Sequence, residues 1–264
     1  MKKIVLIGCG AMGGAILSGC LKKEVWKPEE VFLKEHSPAA SEEKAAQYGV
    51  QAASEEDLRE ASLVILAVKP NIIPSVLDEI APFRPGRVLS IAAAVTLADL
   101  EGKLPEGTEV IRVMPNTPAS VGAGMAAIAP GRCASPEFTD EAETIFRALG
   151  REAVVTERQL DELGALSGAG PAYAFVIIDA LSDAGVLIGL PRKLAIEAAA
   201  QTLYGAAKMV LETGKHPAEL RDQVTSPGGT TIAGLHAMEK RGIRAALMDG
   251  VKASLDKSDQ MAGK

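Results

Sequence analysis

The chain has 264 residues, of which 47% are hydrophobic and 23% charged, and its formal net charge is −6. That length accommodates one or two domains with a substantial core, and the composition is that of an ordinary soluble globular protein. An acidic balance with no basic stripe argues against nucleic acid and against an anionic membrane surface, so anions must be held by backbone amides and a few local cations.

The first stretch is the most informative. The apolar run Ile4-Val5-Leu6-Ile7 ends in Gly8-Cys9-Gly10-Ala11-Met12-Gly13, and an Ala/Ile/Leu-rich helical pattern follows. This is the strand, glycine turn and helix that grip a dinucleotide. Gly8 permits the tight turn, Gly10 lets the backbone approach a pyrophosphate, and Gly13 lets helix and strand pack closely. The helix start, around Ala11 and Met12, turns its free amides and positive end toward the phosphates.

A second strand is expected over Val31–Glu35, a helix over Pro38–Tyr48, and a short helix opening at Ser54 with acids in its first turn. Leu63–Val68 is a continuous aliphatic run, the pattern of a strand buried on both faces. Val88–Ile91 and Val110–Val113 repeat it, Thr96 starts a capped helix between them, and Met125–Ala129 and Ala153–Thr156 are weaker strands flanking a helix from Pro136. Alternating strands and helices predict an α/β fold, a mostly parallel, doubly wound Rossmann-type sheet. Gly8–Gly13, Lys69-Pro70, Ala92-Ala93-Ala94 and Met114–Pro118 all fall at strand ends, where the binding crevice of such a sheet lies.

Beyond Glu157 only helices are expected, which places a dinucleotide-binding domain over residues 1–157 and an all-helical domain over residues 158–264. Ala172–Leu190 is apolar but interrupted by Asp179 and Asp183, so it reads as a core or interface helix and not as a membrane span. Leu194–Leu211 is apolar on more than one face and needs partners on several sides, which predicts a homodimer or larger assembly. The polar tail Asp256–Lys264 is expected to fray. Cys9, Cys20 and Cys133 form no C-x-x-C pair, which suits a reducing cytoplasm, and His36, His216 and His236 lack ligand spacing, so no metal is expected. Tyr204 and Lys208 match a Y-x-x-x-K pair, but in an alanine-rich helix far from any strand end; they are read as a coincidence.

The second informative stretch is Ser226-Pro227-Gly228-Gly229-Thr230-Thr231, a hydroxyl- and glycine-rich turn between two helices. Exposed amides at the new helix start make a nest for a small carboxylate, and a threonine hydroxyl adds a hydrogen bond. A plain N-cap after a Pro-Gly turn is the competing reading.

Val224–Glu239, with Leu166–Tyr173, Ala67–Pro70 and Asn116–Pro118, resembles pyrroline-5-carboxylate reductase through essentially the whole chain. The resemblance implies a Rossmann domain followed by a helical dimerisation domain. It also implies an active site at the dimer interface, and dimers that assemble further, up to a decamer of five. Ser226 and the amides around Gly228, Gly229 and Thr230 would hold the substrate carboxylate, and Thr231 would hydrogen-bond the ring nitrogen. Val68, Lys69, Pro70, Ala92, Ala93, Asn116 and Pro118 would line the nicotinamide end of the cofactor. Glu35 suits a ribose diol and NADH, whereas His36 and Ser37, with Lys34, offer partners for a 2′-phosphate; the family's common use of NADPH makes that the expected cofactor, with NADH the alternative. A β-hydroxyacid dehydrogenase is the runner-up, although Lys193 and Lys208 lack that class's asparagine partner. A nucleotide-binding module without chemistry is the third reading.

Overall fold

The structure is a computed structural model that describes residues 2–261. It forms two compact units, Met1–Ala169 with Ser254–Lys264, and Gly170–Ala253.

The first unit is built on eight strands: β1 (Ile4–Ile7), β2 (Val31–Lys34), β3 (Gln51–Ala52), β4 (Leu63–Leu66), β5 (Arg87–Ser90), β6 (Glu109–Met114), β7 (Gly124–Pro130) and β8 (Gly150–Val154). They form one sheet in the order β3-β2-β1-β4-β5-β6-β7-β8, the doubly wound arrangement that reverses direction beside β1. Every pairing is parallel except β6–β7, in which Arg112 lies opposite Ala129. Only a 3₁₀ turn, Thr117–Val121, joins those two strands, too short for the crossover that a parallel neighbour requires.

The helices of this unit are α1 (Ala11–Lys22), α2 (Pro38–Tyr48), α3 (Glu55–Arg59), α4 (Ile73–Ile80), α5 (Leu97–Lys103), α6 (Pro136–Arg147) and α7 (Glu157–Leu163). Their starts follow from sequence: Ser37, Ser54, Thr96, Ser135 and Thr156 each accept a backbone amide from their helix's first turn. Side chains alternate across each strand. Ile4 and Leu6 pack with Ile16, Leu17, Phe138 and Phe146 on one face, whereas Val5 and Ile7 pack with Ile73, Leu77 and Ile80 on the other. Each of these fully buried side chains contributes roughly 1.5–3 kcal/mol relative to exposure.

The second unit holds α8 (Gly170–Leu187), α9 (Arg192–Thr213), α10 (Pro217–Gln223) and α11 (Thr230–Lys240), with the first part of α12 (Ile243–Met261). Gly185 of α8 lies so close to Ala195 of α9 that an added Cβ would stand 2.8 Å from the alanine Cβ. Few of its large apolar side chains are covered: Phe175 is 64% and Leu187 86% exposed. No strand occurs after Val154 among the described residues.

Three features add to what the sequence predicts. By compactness α7 groups with the sheet: Leu160 packs on Ala127 and Ala129, and Asp161 pairs with Arg112. The polar composition predicts fraying from Asp256, yet α12 runs to Met261 and Asp259 pairs with Arg158 at 3.1 Å; residues 262–264 of that expectation lie outside the described ones. The helical run Glu157–Leu187 has the length and hydropathy of a membrane span, but a π-helical turn at Gly164–Gly168 breaks it into α7 and α8.

Candidate active site

At the carboxyl end of β1 the chain turns at Gly8, whose φ of +90° is open to glycine and strained for other residues. A Cβ there would also stand 2.7 Å from the Val68 Cγ1, and one on Gly13 would collide with the Gly8 carbonyl oxygen. Beside Gly10, in contrast, nothing lies within 4 Å of where a Cβ would be. The turn is therefore packed tightly behind and open in front. Gly10 is the N-cap of α1 and no side chain caps that helix, so the amides of its first turn, from Ala11 through the half-buried Met12 to Gly13, have no side-chain partner. Such a cradle fits a pyrophosphate.

A cleft of about 870 Å³ opens from this turn and is lined by Gly8, Gly10, Lys34, Glu35, His36, Lys44, Val68, Lys69 and Glu79. Glu35 is engaged: its Oε1 accepts the Cys9 amide at 2.6 Å, and its Oε2 stands 3.7 Å from the His36 Nδ1. Lys34 pairs with Glu79 at 2.9 Å. The Ser37 oxygen caps α2 by accepting the Ala40 amide, which leaves its hydroxyl proton available. Burial pushes the Cys9 thiol up, only partly offset by the Tyr48 hydroxyl, which agrees with a packing role for that cysteine.

The ends of β5 and β6 form a second cavity of about 350 Å³, lined by Ala93, Ala94, Arg112, Met114, Asp161, Gly164, Gly168 and Lys257 among others. Ala92 is buried, with its amide donated to the Ser90 Oγ at 3.3 Å. Asn116 is a clamp: its Oδ1 accepts the Met125 amide and its Nδ2 donates to the Ser167 carbonyl oxygen, both at 2.9 Å. It thereby ties β7 to the π-helical turn. Pro118 sits half-buried in the 3₁₀ turn, and Pro70 opens another, exposed, after β4. The expected cofactor-binding residues thus fall into two groups along the sheet's carboxyl edge.

In the second unit Ser226–Gly229 makes a tight turn, closed by a 3.1 Å bond from the Gly229 amide to the Ser226 carbonyl oxygen. Pro227 and Gly228, the latter with φ +67°, suit its two central positions. Gly229 is the N-cap of α11, and again no side chain caps the helix. Ser226, Gly228, Thr230 and Thr231 are exposed. Gly229 itself occupies the N-cap position after the Pro-Gly turn, and neither threonine side chain caps this helix start. Lys208 pairs with Glu212 at 3.6 Å, which leaves the Y-x-x-x-K resemblance without a pairing to Tyr204.

Sequence reasoning missed one assembly, the pairs of the buried Arg112 with the part-buried Glu157 and the buried Asp161, both at 2.9 Å. Its signal was available: a lone arginine inside the aliphatic run Val110–Val113, and two acids four residues apart on one helix face. Among the described residues no group of three or more His, Cys, Asp or Glu is placed to hold a metal ion.

A glycine cradle on a doubly wound sheet, followed by a helical unit with a second uncapped, glycine-rich turn, defines a nicotinamide-dependent oxidoreductase of Rossmann type. Comparison with known families narrows the class. The pyrroline-5-carboxylate reductase dimerisation family matches residues 157–261, and the coenzyme F420-dependent NADP oxidoreductase family matches residues 3–94. A pyrroline-5-carboxylate reductase of Methanosarcina acetivorans is 43% identical over 100% of this chain and 99% of the relative, and one of Escherichia coli is 42% identical over 99% and 98%. Among solved structures, a Coxiella burnetii pyrroline-5-carboxylate reductase superposes with a TM-score of 0.92 at 32% identity, covering 98% of both chains. A Plasmodium falciparum pyrroline carboxylate reductase with NADP bound gives 0.86 at 30%, covering 99% and 98%. The chain belongs to the pyrroline-5-carboxylate reductase family. The hydroxyacid dehydrogenase alternative gives way to that assignment.

Proposed function

We propose that this protein reduces 1-pyrroline-5-carboxylate to L-proline with NADPH, the last step of proline synthesis. The observation that carries the reading is the pair of uncapped helix starts, one behind Gly10 and one behind Gly229, each suited to an anion. The amides of the α1 first turn hold the pyrophosphate, with Gly8, Gly10, Ala11, Met12 and Gly13 shaping the turn. His36 and Ser37, beside Glu35, meet the adenosine ribose and its 2′-phosphate. Val68, Lys69, Pro70, Ala92, Ala93, Asn116 and Pro118 border the nicotinamide end. Ser226, Gly228, Gly229 and Thr230 bind the substrate carboxylate, and Thr231 hydrogen-bonds the ring nitrogen.

When bound, the cofactor supplies a hydride to the imine carbon, and a proton on nitrogen completes the balance from imine to amine. A protonated imine is already electrophilic, so the protein needs no strong acid. Orientation of the ring and fixed dipoles around it supply most of the acceleration. Residues 1–157 carry cofactor binding, and residues 158–264 carry substrate binding and dimer formation. The active site lies at the dimer interface of a cytoplasmic enzyme, and five dimers form a decamer.

The test is oxidation of NADPH by the purified protein with pyrroline-5-carboxylate, run beside a panel of hydroxyacids with NADP. Turnover of the imine alone is expected. Cofactor binding without imine turnover overturns the reading. The ratio of kcat/KM for NADPH and NADH is expected to favour NADPH, and a sedimentation measurement at micromolar concentration reports the assembly.

A further inference from the structure

Among the described residues Arg112 is the one buried cation of the fold, with its side chain 3% exposed. It serves none of the binding roles assigned above. From β6 its Nη1 donates to the Glu157 Oε1 and its Nη2 to the Asp161 Oδ1, and the two acids stand four residues apart on one face of α7. The same Glu157 Oε1 accepts a second bond, from the Leu97 amide at 2.7 Å. Leu97 is the first residue of α5, so it ends the loop that follows β5. That loop contains Ala94 at φ +58°, a conformation alanine keeps only where its surroundings impose it. The near end of the loop is fixed by β5 itself and by the bond from the Ala92 amide to Ser90. At the far end the hydrogen-bonded chain Arg112 to Glu157 to Leu97 joins the Thr96 capping box, in which the Thr96 amide and hydroxyl donate to the Asp99 Oδ2.

Two further observations separate this from ordinary fold stability. The Arg112 Nε is buried and has no hydrogen-bond partner among the protein's own described groups. Arg112 and Asp161 are buried and Glu157 is partly exposed, and the desolvation cost of such an ion pair often offsets its attraction, so stability alone does not account for it. Arg112, Ala93 and Ala94 moreover border the same cavity at the carboxyl ends of β5 and β6, the edge along which a doubly wound sheet lays its cofactor. We propose that Arg112 and Glu157 form a positioning pair. They hold the Ala92–Val95 loop in the shape that receives the nicotinamide end of the cofactor, and they act through the loop without touching the cofactor. The proposal rests on the reading of that edge as the nicotinamide site.

The experiment compares Glu157→Ala, which removes both of its bonds, with Glu157→Gln, which keeps an acceptor for Leu97. Arg112→Lys is the third variant, because one ammonium cannot span both acids as a guanidinium does. Amide hydrogen exchange is followed over residues 91–97 and 8–14 in the cofactor-free protein, together with the Kd for NADPH, the steady-state constants and the Tm. Glu157→Ala is expected to speed exchange over 91–97 and raise the Kd for NADPH about tenfold, with exchange over 8–14 and the KM for the imine unchanged. Glu157→Gln is expected to recover most of both, and Arg112→Lys to fall between. A lowered Tm with unchanged loop exchange and unchanged Kd overturns the proposal, as does a rise confined to the imine KM. If Glu157→Ala does not fold, unchanged exchange and Kd in Arg112→Lys overturn it equally. Exchange and Kd need no imine turnover, so an inactive wild-type protein sinks the proposed reaction without deciding the loop's role.

Discussion

The sheet unit and the helical unit solve the burial problem in opposite ways. In the first, β1, β4 and β5 are covered on both faces by helices of the same chain, and Ile4, Leu6, Ile65 and Leu66 have no exposed surface. In the second, α8 and α9 pack on each other, yet Phe175, Val176, Leu187 and Ile188 remain open. A sheet is hydrophobic on two broad faces that one chain can cover, whereas helices that are apolar all round need neighbours on every side. The family's dimerisation segment supplies that neighbour from a second copy. One unit is complete within the chain and the other is completed by assembly.

The sharpest way to break this contrast is chemical. If the helical unit carries the substrate cradle as well as the interface, Thr231→Ala lowers kcat/KM by ~10- to 10³-fold, about 1–4 kcal/mol of transition-state stabilisation. An unchanged kcat/KM removes Thr231 from the mechanism. Next in size is the interface itself. Phe175→Glu places a charge on an apolar face and is expected to raise the dimer dissociation constant about a hundredfold, some 2.7 kcal/mol, read by sedimentation equilibrium. The sheet unit is expected to keep its cofactor affinity in that variant.

Gly13→Ala probes the complete unit from within. Its new methyl group meets the Gly8 carbonyl oxygen, and the Kd for NADPH is expected to rise about tenfold, by calorimetric titration, with the dimer intact. A smaller effect concerns acid. Burial pushes the Asp57 carboxyl up, but Lys3 and Ser54 outweigh it and hold the group below its ordinary value. Burial likewise pushes Glu109 up, and Ser135 and Arg87 bring it below. A carboxyl depressed in the folded state adds stability above its unfolded pKa and loses it as pH falls through the folded one. The Tm is therefore expected to drop below about pH 4, and Asp57→Asn to flatten that slope. The smallest signal is thiol labelling: burial pushes Cys20 up to about 12, so native protein at neutral pH is expected to label at the exposed Cys133 first.

What could be read from the sequence was what is written locally. The strand runs at Ile4, Val31, Leu63, Arg87 and Glu109 carry their own pattern, and the glycine turn is continuous, so both were legible. The edge strand Gln51–Ala52 is too short for any periodicity, and α4 begins among Pro70 and Pro74, which read as breakers although they sit at helix starts. Asn116 meets the π-helical turn through a contact spanning 51 residues, and Arg112 meets its acids across 45 and 49. Distances of that kind leave no periodic trace. The helical tail to Met261 was missed for the same reason, since a polar composition conceals the bond of Asp259 to Arg158.

The bond from the Cys9 amide to Glu35 joins the glycine turn to the end of β2. A loop tied by a side chain of its own fold has little freedom left to surrender on encounter, so binding incurs a small ordering penalty. Recruitment of the dinucleotide is then a docking event, and its speed follows collision frequency and ionic strength more than any rearrangement of the turn.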